Sequence, residues 1–459
     1  MLFVLRNRAY RRLFTAQVVA LVGTGLATVA LGLLAYDIAG SDAGAVLGTA
    51  LAIKMVAYVA IAPAVGALAD RLPRRTLMVG ADATRAAVAL LLPFVDQVWQ
   101  VYVLIFLLQA ASAAFTPTFQ AVIPDVLPAE RDYTRALSLS RLAYDLESLF
   151  SPALAATLLS LITYNWLFLG TVFGFVASAA LVTGAVLPKP LAPAAARSGS
   201  VYAKATAGTR LFLAAPQLRA LLALDLAVAA AGAVVTVNTV VYVRDHLGRE
   251  VADVSWALGS YGAGSTAVAL LLPRVLDRAS DRAVMLRGAL LLPLVFGGLG
   301  VITAADSGNW RWPALLTAWA LFGGAGSMVL TPAGRLLRRG VAPQERTAAF
   351  AAQFSLSHGC WLLTYPLAGW LGATTGAQSA VLVLGATALG AGLLAVRLWP
   401  PREQAGAEHD HTDLPDDRPH VAGATRAATT HHHIRTVDHA LTGPPPHPVD
   451  GTADETLIR

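Results

Sequence analysis

Ionisable residues interrupt long apolar stretches of this 459-residue sequence, in places where a charge is costly. There are eight of them: Lys54, Asp82, Arg85, Arg141, Asp145, Glu147, Asp225 and His358. At bilayer depth an ionised side chain costs on the order of 3 kcal/mol, so each one needs a partner or a water-filled cavity. A carboxyl group in such a cavity can take up and release a proton near neutral pH, because burial favours its neutral form. This pattern indicates ion or proton binding inside a membrane.

Four of these residues fall into two closely spaced pairs. Asp82 and Arg85 lie three residues apart, and Arg141 and Asp145 lie four residues apart. Residues at these spacings share one face of a helix, so opposite charges can meet without help from another element. We predict that both pairs are internal ion pairs with structural or gating roles.

The remaining candidates have no opposite charge at helical spacing. Lys54, Glu147 and His358 either meet one another across helices or face water. Glu147 or Asp145 is a candidate for proton binding, since a carboxylate there could couple proton flow to transport. His358 could serve the same end, and the alternative is a buried histidine that satisfies its hydrogen bonds locally.

Histidines concentrate in the last part of the chain. Residues 399–459 hold eight of the ten histidines in a segment poor in large apolar residues, which we expect to be disordered. Neutral imidazole binds nickel, zinc, copper and cobalt, and nearby carboxylates add negative charge. The local clusters predict a metal site in this tail, with the candidate ligands His409, His411, His431, His432 and His433. The alternative is a solvated tail of biased composition.

The apolar stretches define the elements that carry these residues. The chain is 56% hydrophobic and 14% charged, whereas soluble domains carry about 25% charged residues. Many stretches reach the ~20 residues needed to cross a bilayer, where a helix pairs its own backbone groups. We predict an all-α polytopic membrane protein with twelve transmembrane helices, at about 13–36, 44–68, 76–95, 98–123, 134–162, 164–187, 218–243, 254–273, 283–304, 313–333, 347–372 and 376–398.

Several classes of function are excluded by the same composition. The net charge of +6 comes from short loops, so it does not indicate a nucleic-acid partner. Cys360 is the sole cysteine, which excludes an intrachain disulfide and a thiolate metal site. The sequence has no catalytic constellation and no Gly-rich phosphate loop, so we expect neither an enzyme nor an ATP-driven pump. We expect no resident cofactor and a proton gradient as the energy source.

The predicted spans divide six and six around a polar break. Residues 188–217 contain prolines and a Ser/Gly patch, and we predict a cytoplasmic linker there. It separates an N-terminal six-helix half, 1–187, from a C-terminal half, 218–398, and the tail of residues 399–459 follows. Lys and Arg residues of the first half lie in the N-terminal segment and in loops on one side. By the positive-inside rule, that side and both termini face the cytoplasm.

An internal repeat supports two equivalent halves. Residues 116–131 begin with Thr-Pro and end with Pro-x-Glu-Arg, and residues 331–346 repeat this pattern 215 positions later. Both copies lie where the fourth span of a half leads into the fifth. Parallel repeats of this kind build many transporters, with the substrate site at the interface between the repeats.

The loop at residues 66–75 carries the pattern Gly-x-x-x-Asp-Arg-x-x-Arg-Arg, formed by Gly66, Asp70, Arg71, Arg74 and Arg75. It resembles the loop signature of the major facilitator superfamily, apart from a proline at position 73 where that family usually has glycine. Residues 277–282 are a worn second copy. The resemblance implies twelve helices in two pseudo-symmetric halves, a site near the midplane, and a latch to which Asp70 and Arg71 belong.

A narrower resemblance points to one branch of that superfamily. Residues 115–156, together with the His-rich tail, look like the nickel-resistance exporters. This resemblance implies a proton-driven antiporter of the cytoplasmic membrane that works by alternating access.

Three hypotheses follow from these observations. The first is export of a divalent metal ion, nickel or cobalt foremost. The second is an efflux permease for an organic solute such as a drug or siderophore, and the third is a membrane sensor whose tail binds metal. We expect the partners to be a small solute or metal ion and the lipid bilayer, and we expect a monomer.

Overall fold

The computed structural model describes residues 2–39, 43–68, 72–188, 201–305, 307–399, 409–410 and 430–431. Residues 1–400 form one compact unit and residues 401–459 form a second. Within the described part of the first unit, the regular structure is entirely helical. This agrees with the predicted all-α class.

Fifteen helices follow one another in the described residues of the first unit. They are α1 (Arg8–Ala39), α2 (Ala43–Leu68), α3 (Arg74–Leu91), α4 (Val98–Val126), α5 (Glu130–Leu159), α6 (Tyr164–Gly184), α7 (Val201–Ala214), α8 (Pro216–Ala233), α9 (Thr239–Val241), α10 (Val251–Leu276), α11 (Asp281–Ala304), α12 (Arg311–Leu330), α13 (Ala333–Gly340), α14 (Arg346–Thr374) and α15 (Ala377–Leu398). One π-helical segment, Val234–Asn238, joins α8 to α9, and a second, Tyr242–His246, extends α9, so Pro216–His246 is one continuous helical element. We call α1–α6 the first half and α8–α15 the second half.

Nine helical segments of the described chain are long and apolar enough to cross a membrane. Each of them overlaps a predicted span. The other three predicted spans fall on α5, α10 and α14, which are long helices outside that set of nine. These three helices carry the charged, hydroxyl and amide side chains of the candidate site described below, which explains their lower apolar content.

Two segments depart from the simple pattern of spans and loops. The predicted linker contains the helix α7, whose Phe212 is fully buried. The Thr-Pro pairs of the two repeats also differ: Pro117 lies within the continuous helix α4, whereas Pro332 separates α12 from α13. Proline removes a backbone hydrogen bond, and the second copy uses that break to start a new short helix.

Small residues allow the closest helix contacts. A Cβ added to Gly174 on α6 would lie 3.2 Å from the Cα of Gly23 on α1. A Cβ added to Gly264 on α10 would overlap the backbone carbonyl of Ala320 on α12. Apolar lipid provides little hydrophobic drive for helices to associate, so membrane helices gain stability from such close backbone approach.

The second unit is described at two short strands only. His409–Asp410 pairs antiparallel with Thr430–His431, and His409 lies opposite His431 in the register. The prediction of a disordered tail concerns residues that otherwise lie outside the described part of the chain. His411, His432 and His433 lie there too.

Candidate functional site

An aromatic seam, formed by Tyr58, Phe354 and His358, joins α2 of the first half to α14 of the second. The ring centroid of Tyr58 lies 4.9 Å from that of Phe354 and 4.7 Å from that of His358, and the last two are 4.2 Å apart. The Ser355 hydroxyl, on the same face, donates to the backbone carbonyl of Val59 at 2.7 Å. The two halves therefore meet here through tilted and edge-on ring contacts and one hydrogen bond.

Charged groups from three helices converge beside this seam. The ammonium group of Lys54 lies 5.7 Å from the ring centroid of Tyr58 and interacts electrostatically with Glu147 on α5 and with His358. Lys54 and Glu147 are both partly exposed. Gly25 on α1 closes one side, since a Cβ there would lie 2.9 Å from Glu147 Oε1. The three residues that lacked sequence partners are thus brought together across helices.

One nitrogen of His358 is already engaged within its own helix. Its Nδ1 lies 2.7 Å from the backbone carbonyl of Phe354. A carbonyl oxygen can only accept a hydrogen bond, so Nδ1 carries a hydrogen and Nε2 holds the free lone pair of the neutral ring. His358 therefore keeps one nitrogen available to a proton or a ligand.

A polar seam, formed by Arg141, Asp145 and Ser265, joins α5 to α10 at the other contact between the halves. Arg141 pairs with Asp145 at 3.0 Å, as its spacing predicts. Both groups also bind Ser265: the Arg141 guanidinium donates to its hydroxyl at 3.1 Å, and that hydroxyl donates to Asp145 Oδ2 at 2.7 Å. The ion pair on one half is thereby tied to a hydroxyl on the other.

The Asp82–Arg85 pair lies inside the first half. Its carboxylate and guanidinium form a buried ion pair on α3. The guanidinium carbon lies 4.5 Å from the ring centroids of both Phe115 and Phe175. Burial and this aromatic sandwich hold Arg85 in place, which fits the predicted structural role.

Asp225 lies in the second half, on α8. It is 3% exposed and accepts a hydrogen bond of 2.7 Å from the side-chain amide of Gln353 on α14. Its other carboxyl oxygen and the amide oxygen of Gln353 are both buried and have no hydrogen-bond partner among the residues that the structure describes.

A second set of contacts joins the halves at the inner end, the end of the bundle where α4 ends and α5 begins. Asp125 at the end of α4 pairs with Arg74 at 2.5 Å and with Arg346 of α14 at 2.8 Å. Arg131 at the start of α5 lies 3.6 Å from Asp277, in an exposed pair. The Asp125–Arg346 and Arg131–Asp277 pairs connect helix ends of the first half to helix ends of the second, whereas Arg74–Asp125 lies within the first half.

The short helix α13 completes these contacts at the inner end. Arg335 lies 2.7 Å from Glu130 and 3.0 Å from the buried Asp281, and Arg339 pairs with the same two carboxylates. Burial raises the pKa of the Tyr133 phenol, so its hydroxyl stays protonated and donates to the carbonyl of Gly334 at 3.1 Å. We call this set the inner latch: Arg74, Asp125, Glu130, Asp281, Arg335, Arg339 and Arg346.

The loop motif is only partly described by the structure. Asp70 and Arg71 lie outside the described residues, and for Gly66 only the helical backbone of α2 is described. Of the other members, Arg74 belongs to the inner latch and Arg75 donates to the carbonyl of Ala185 at 2.6 Å. The latch role of Asp70 and Arg71 stays a prediction, whereas the worn second copy contributes Asp281 directly.

No metal centre emerges from the described residues. Among them, no group of three or more His, Cys, Asp or Glu side chains is arranged to hold a metal ion. The predicted tail ligands contribute nothing to this test, since the side chains of His409 and His431 are not described and the other three lie outside the described residues.

Sequence reasoning missed several residues of the site: Tyr58, Ser265, Arg335, Arg339 and Gln353. Uncharged residues in an apolar stretch give no signal, because charge was the feature that selected candidates. Arg335 and Arg339 lie at the end of a predicted span and read as loop charges. The internal repeat gave one usable signal for the inner latch: its 215-residue offset makes Arg346 the equivalent of Arg131.

Comparison with known proteins agrees with the fold. A family model described as Major Facilitator Superfamily matches residues 13–243 and 221–436, which together cover most of the chain. The chain belongs to the major facilitator superfamily. The narrower resemblance to nickel-resistance exporters has no counterpart among the relatives and structures compared below.

Curated relatives and solved structures add detail at different levels. Macrolide efflux protein A of Streptococcus pyogenes is 29% identical over 182 residues, which are 39% of this chain and 44% of that protein. The chain thus matches less than half the length of that relative. The human organic anion transporter MFSD10 (TETRAN) superimposes with a TM-score of 0.71 at 14% identity, over 84% of this chain and 99% of that one. A bacterial homologue of the iron transporter ferroportin, in an outward-facing state, gives 0.71 at 13% identity, over 85% and 99%. At these identities the two structures establish the fold alone.

Proposed function

We propose that this member of the superfamily is a secondary active efflux transporter that exports an organic solute in exchange for protons. The observation that carries the proposal is the convergence of Lys54, Glu147 and His358 beside the aromatic seam, where the two halves meet. Charged groups at this depth are costly and mark substrate or proton pathways. In transporters built from repeats, the site lies at the interface between them.

The lining of this site favours an organic solute over a metal ion. The tilted rings of Tyr58 and Phe354 offer apolar faces, which suit a molecule with a hydrophobic body. The described residues hold no group of three metal-ligating side chains, and the curated relative of Streptococcus pyogenes is a macrolide efflux protein. Export of nickel or cobalt stays a prediction that depends on the tail.

Coupling to protons follows from the opposite charges of Lys54 and Glu147. When Glu147 is ionised it offsets the Lys54 charge, and when it takes up a proton the ammonium group loses that partner. In this proposal, binding of a solute and binding of a proton both depend on the charge balance between Lys54 and Glu147. One therefore displaces the other, which is the requirement for exchange. Glu147 is the proton carrier in this proposal, and His358 provides a second acceptor through Nε2.

Alternating access requires that contacts between the halves break and reform. The inner latch joins the halves at the end where loop charges predict the cytoplasm, so opening it exposes the site to that side. We propose that the protein works as a monomer in the cytoplasmic membrane, with both termini inside. Labelling of cysteines introduced at Lys189 and His432 from the same side of the membrane would support this topology.

The central experiment is transport in reconstituted vesicles. Wild-type protein is expected to accumulate a fluorescent macrolide against its gradient when a pH gradient is imposed. Glu147→Gln should abolish this uphill transport and retain solute exchange without a gradient, because it removes the proton carrier and keeps the shape of the site. Asp37→Asn, at an exposed carboxyl group, is the matched control and should behave as wild type.

Two outcomes would contradict the proposal. One is gradient-driven transport at the wild-type rate in Glu147→Gln, which would remove this residue from coupling. The other is tolerance of expressing cells to nickel or cobalt without tolerance to any organic compound. Weakened metal tolerance after deletion of residues 403–459 would then return the metal hypothesis to first place.

A further inference from the structure

The Asp225–Gln353 contact leaves two buried oxygens without partners. Asp225 is 3% exposed and Gln353 is 9% exposed, so both side chains are more than nine-tenths buried. The amide nitrogen of Gln353 donates to Asp225 Oδ2 at 2.7 Å. Within the described part of the chain, Asp225 Oδ1 and Gln353 Oε1 have no hydrogen-bond partner, and each unsatisfied buried group carries a penalty.

A single proton on Asp225 would give both unpaired oxygens a hydrogen-bond partner. If Oδ1 of Asp225 carries a hydrogen, it can donate to the amide oxygen of Gln353 while Oδ2 accepts from the amide nitrogen. The two side chains then form a closed acid–amide pair with two hydrogen bonds, and no net charge is buried. A carboxylate in the same place would leave one oxygen unpaired and a charge without compensation.

Among the described residues, no positively charged side chain acts on Asp225 to stabilise a carboxylate. In the described part of the chain, Gln353 is the side chain that acts directly on Asp225, and Cys360 of α14 is the titratable group that interacts with it electrostatically. Asp82 provides the contrast, since Arg85 pairs with it. Asp82 and Asp225 are therefore stabilised differently in the buried interior. Asp82 pairs with an arginine, whereas Asp225 would carry a proton.

We propose that Asp225 and Gln353 form a proton-binding site of the second half, occupied at neutral pH and separate from Glu147. A metal cation is a poorer occupant, because such ions require several oxygen ligands and the pair offers two free ones. Gln353 immediately precedes Phe354 on α14, so the acid–amide pair ties α8 to the helix that packs against Tyr58.

The test uses full-length protein in lipid nanodiscs and infrared spectroscopy. The difference spectrum between wild type and Asp225→Asn at neutral pH is expected to contain the carbonyl band of a protonated carboxylic acid, which shifts in D2O. The band should persist in Glu147→Gln and in Asp82→Asn, because those carboxyl groups do not produce it. Absence of an Asp225-dependent band would overturn the proposal.

Gln353→Leu tests the partner. Without the amide oxygen, the acid hydroxyl loses its acceptor, so the band should move to higher frequency. A band at the wild-type position would show that the acid does not donate to Gln353, which would overturn the pairing.

Thermal unfolding gives an independent readout with a matched control. Asparagine can make both hydrogen bonds of the acid–amide pair, so Asp225→Asn should unfold at the wild-type temperature. Asp82→Asn should unfold at a lower temperature, since it leaves Arg85 unpaired. Equal destabilisation of both variants, or a sodium-dependent stabilisation lost in Asp225→Asn, would overturn the proposal. Neither spectroscopy nor unfolding measures transport, so a failure of the proposed function would leave these results unaffected.

Discussion

The two seams between the halves differ in chemistry although they occupy related positions. On one side, Arg141 and Asp145 of α5 engage the hydroxyl of Ser265 on α10. On the other, the rings of Tyr58 and His358 meet edge to face between α2 and α14. Hydrogen bonds depend steeply on distance and angle, whereas aromatic rings in contact tolerate a range of arrangements. The polar seam therefore defines one relative position of the halves, and the aromatic seam permits sliding.

The internal repeat shows how far the two seams have diverged. The 207-residue offset between Asp70 and Asp277 relates Ser265 to Tyr58, and the 215-residue offset relates Asp145 to Cys360. Equivalent positions thus carry a hydroxyl in one half and a phenol in the other, or a carboxyl in one half and a thiol in the other. The two seams therefore differ in role. The polar seam defines the relative position of the halves, and the aromatic seam lies beside the charged site.

Breaking the polar seam should have the largest effect on stability. Asp145→Asn leaves the Arg141 guanidinium without its counter-charge, and we expect the free energy of unfolding to fall by about 3 kcal/mol. Thermal or denaturant unfolding in detergent measures the change. Arg249 and Asp253 have the same spacing and are more exposed, so Asp253→Asn should change the same quantity by less than about 0.5 kcal/mol. Similar effects of the two substitutions would remove the distinction between a seam and a surface pair.

The inner latch extends the comparison to a second pair of repeat positions. Arg346→Gln removes a largely buried contact with Asp125, and we expect a loss of about 2 kcal/mol in unfolding free energy. Its repeat mate Arg131 is 68% exposed in its pair with Asp277, so Arg131→Gln should cost less than about 0.5 kcal/mol. A reversed order, measured by the same unfolding assay, would show that the latch depends on the exposed pair.

The aromatic seam should tolerate substitution better than the polar one. Phe354→Leu removes two ring contacts and keeps most of the buried apolar volume, so we expect a loss of about 1 kcal/mol in stability together with altered preference among transported solutes. Phe173→Leu is the control, since this ring is 72% exposed and makes no seam contact among the described residues. Transport of a solute panel alongside unfolding separates the two effects. A stability loss as large as that of Asp145→Asn would contradict the proposed division of tasks.

The smallest change tests the bridge between the halves. Ser265→Ala removes the hydroxyl that links α5 to α10 and leaves the Arg141–Asp145 pair intact, so we expect a loss of about 0.6 kcal/mol. Ser260 bonds within its own helix to Ala257, and Ser260→Ala is the matched control. If both variants unfold alike while Asp145→Asn is strongly destabilised, the ion pair acts within α5 rather than between the halves.

Local patterns in the sequence were sufficient for the framework of this protein. Apolar length indicated helices, and the pairs Asp82–Arg85 and Arg141–Asp145 followed from helical spacing alone. These inferences succeed because a helix in lipid must pair its own backbone and because residues three or four apart always share a face. The resemblance of residues 66–75 to a known loop signature added the family, which the comparisons confirmed.

Tertiary structure alone decided which distant residues meet. Nothing in the spacing of Lys54, Glu147 and His358 indicates that they converge, and Gln353 gave no signal as the partner of Asp225. These contacts join residues roughly a hundred or more positions apart, and they depend on helix rotation and tilt, which packing of neighbouring helices sets. A sequence records the period of each helix, but the direction in which a polar side chain faces another helix is a property of the assembled bundle.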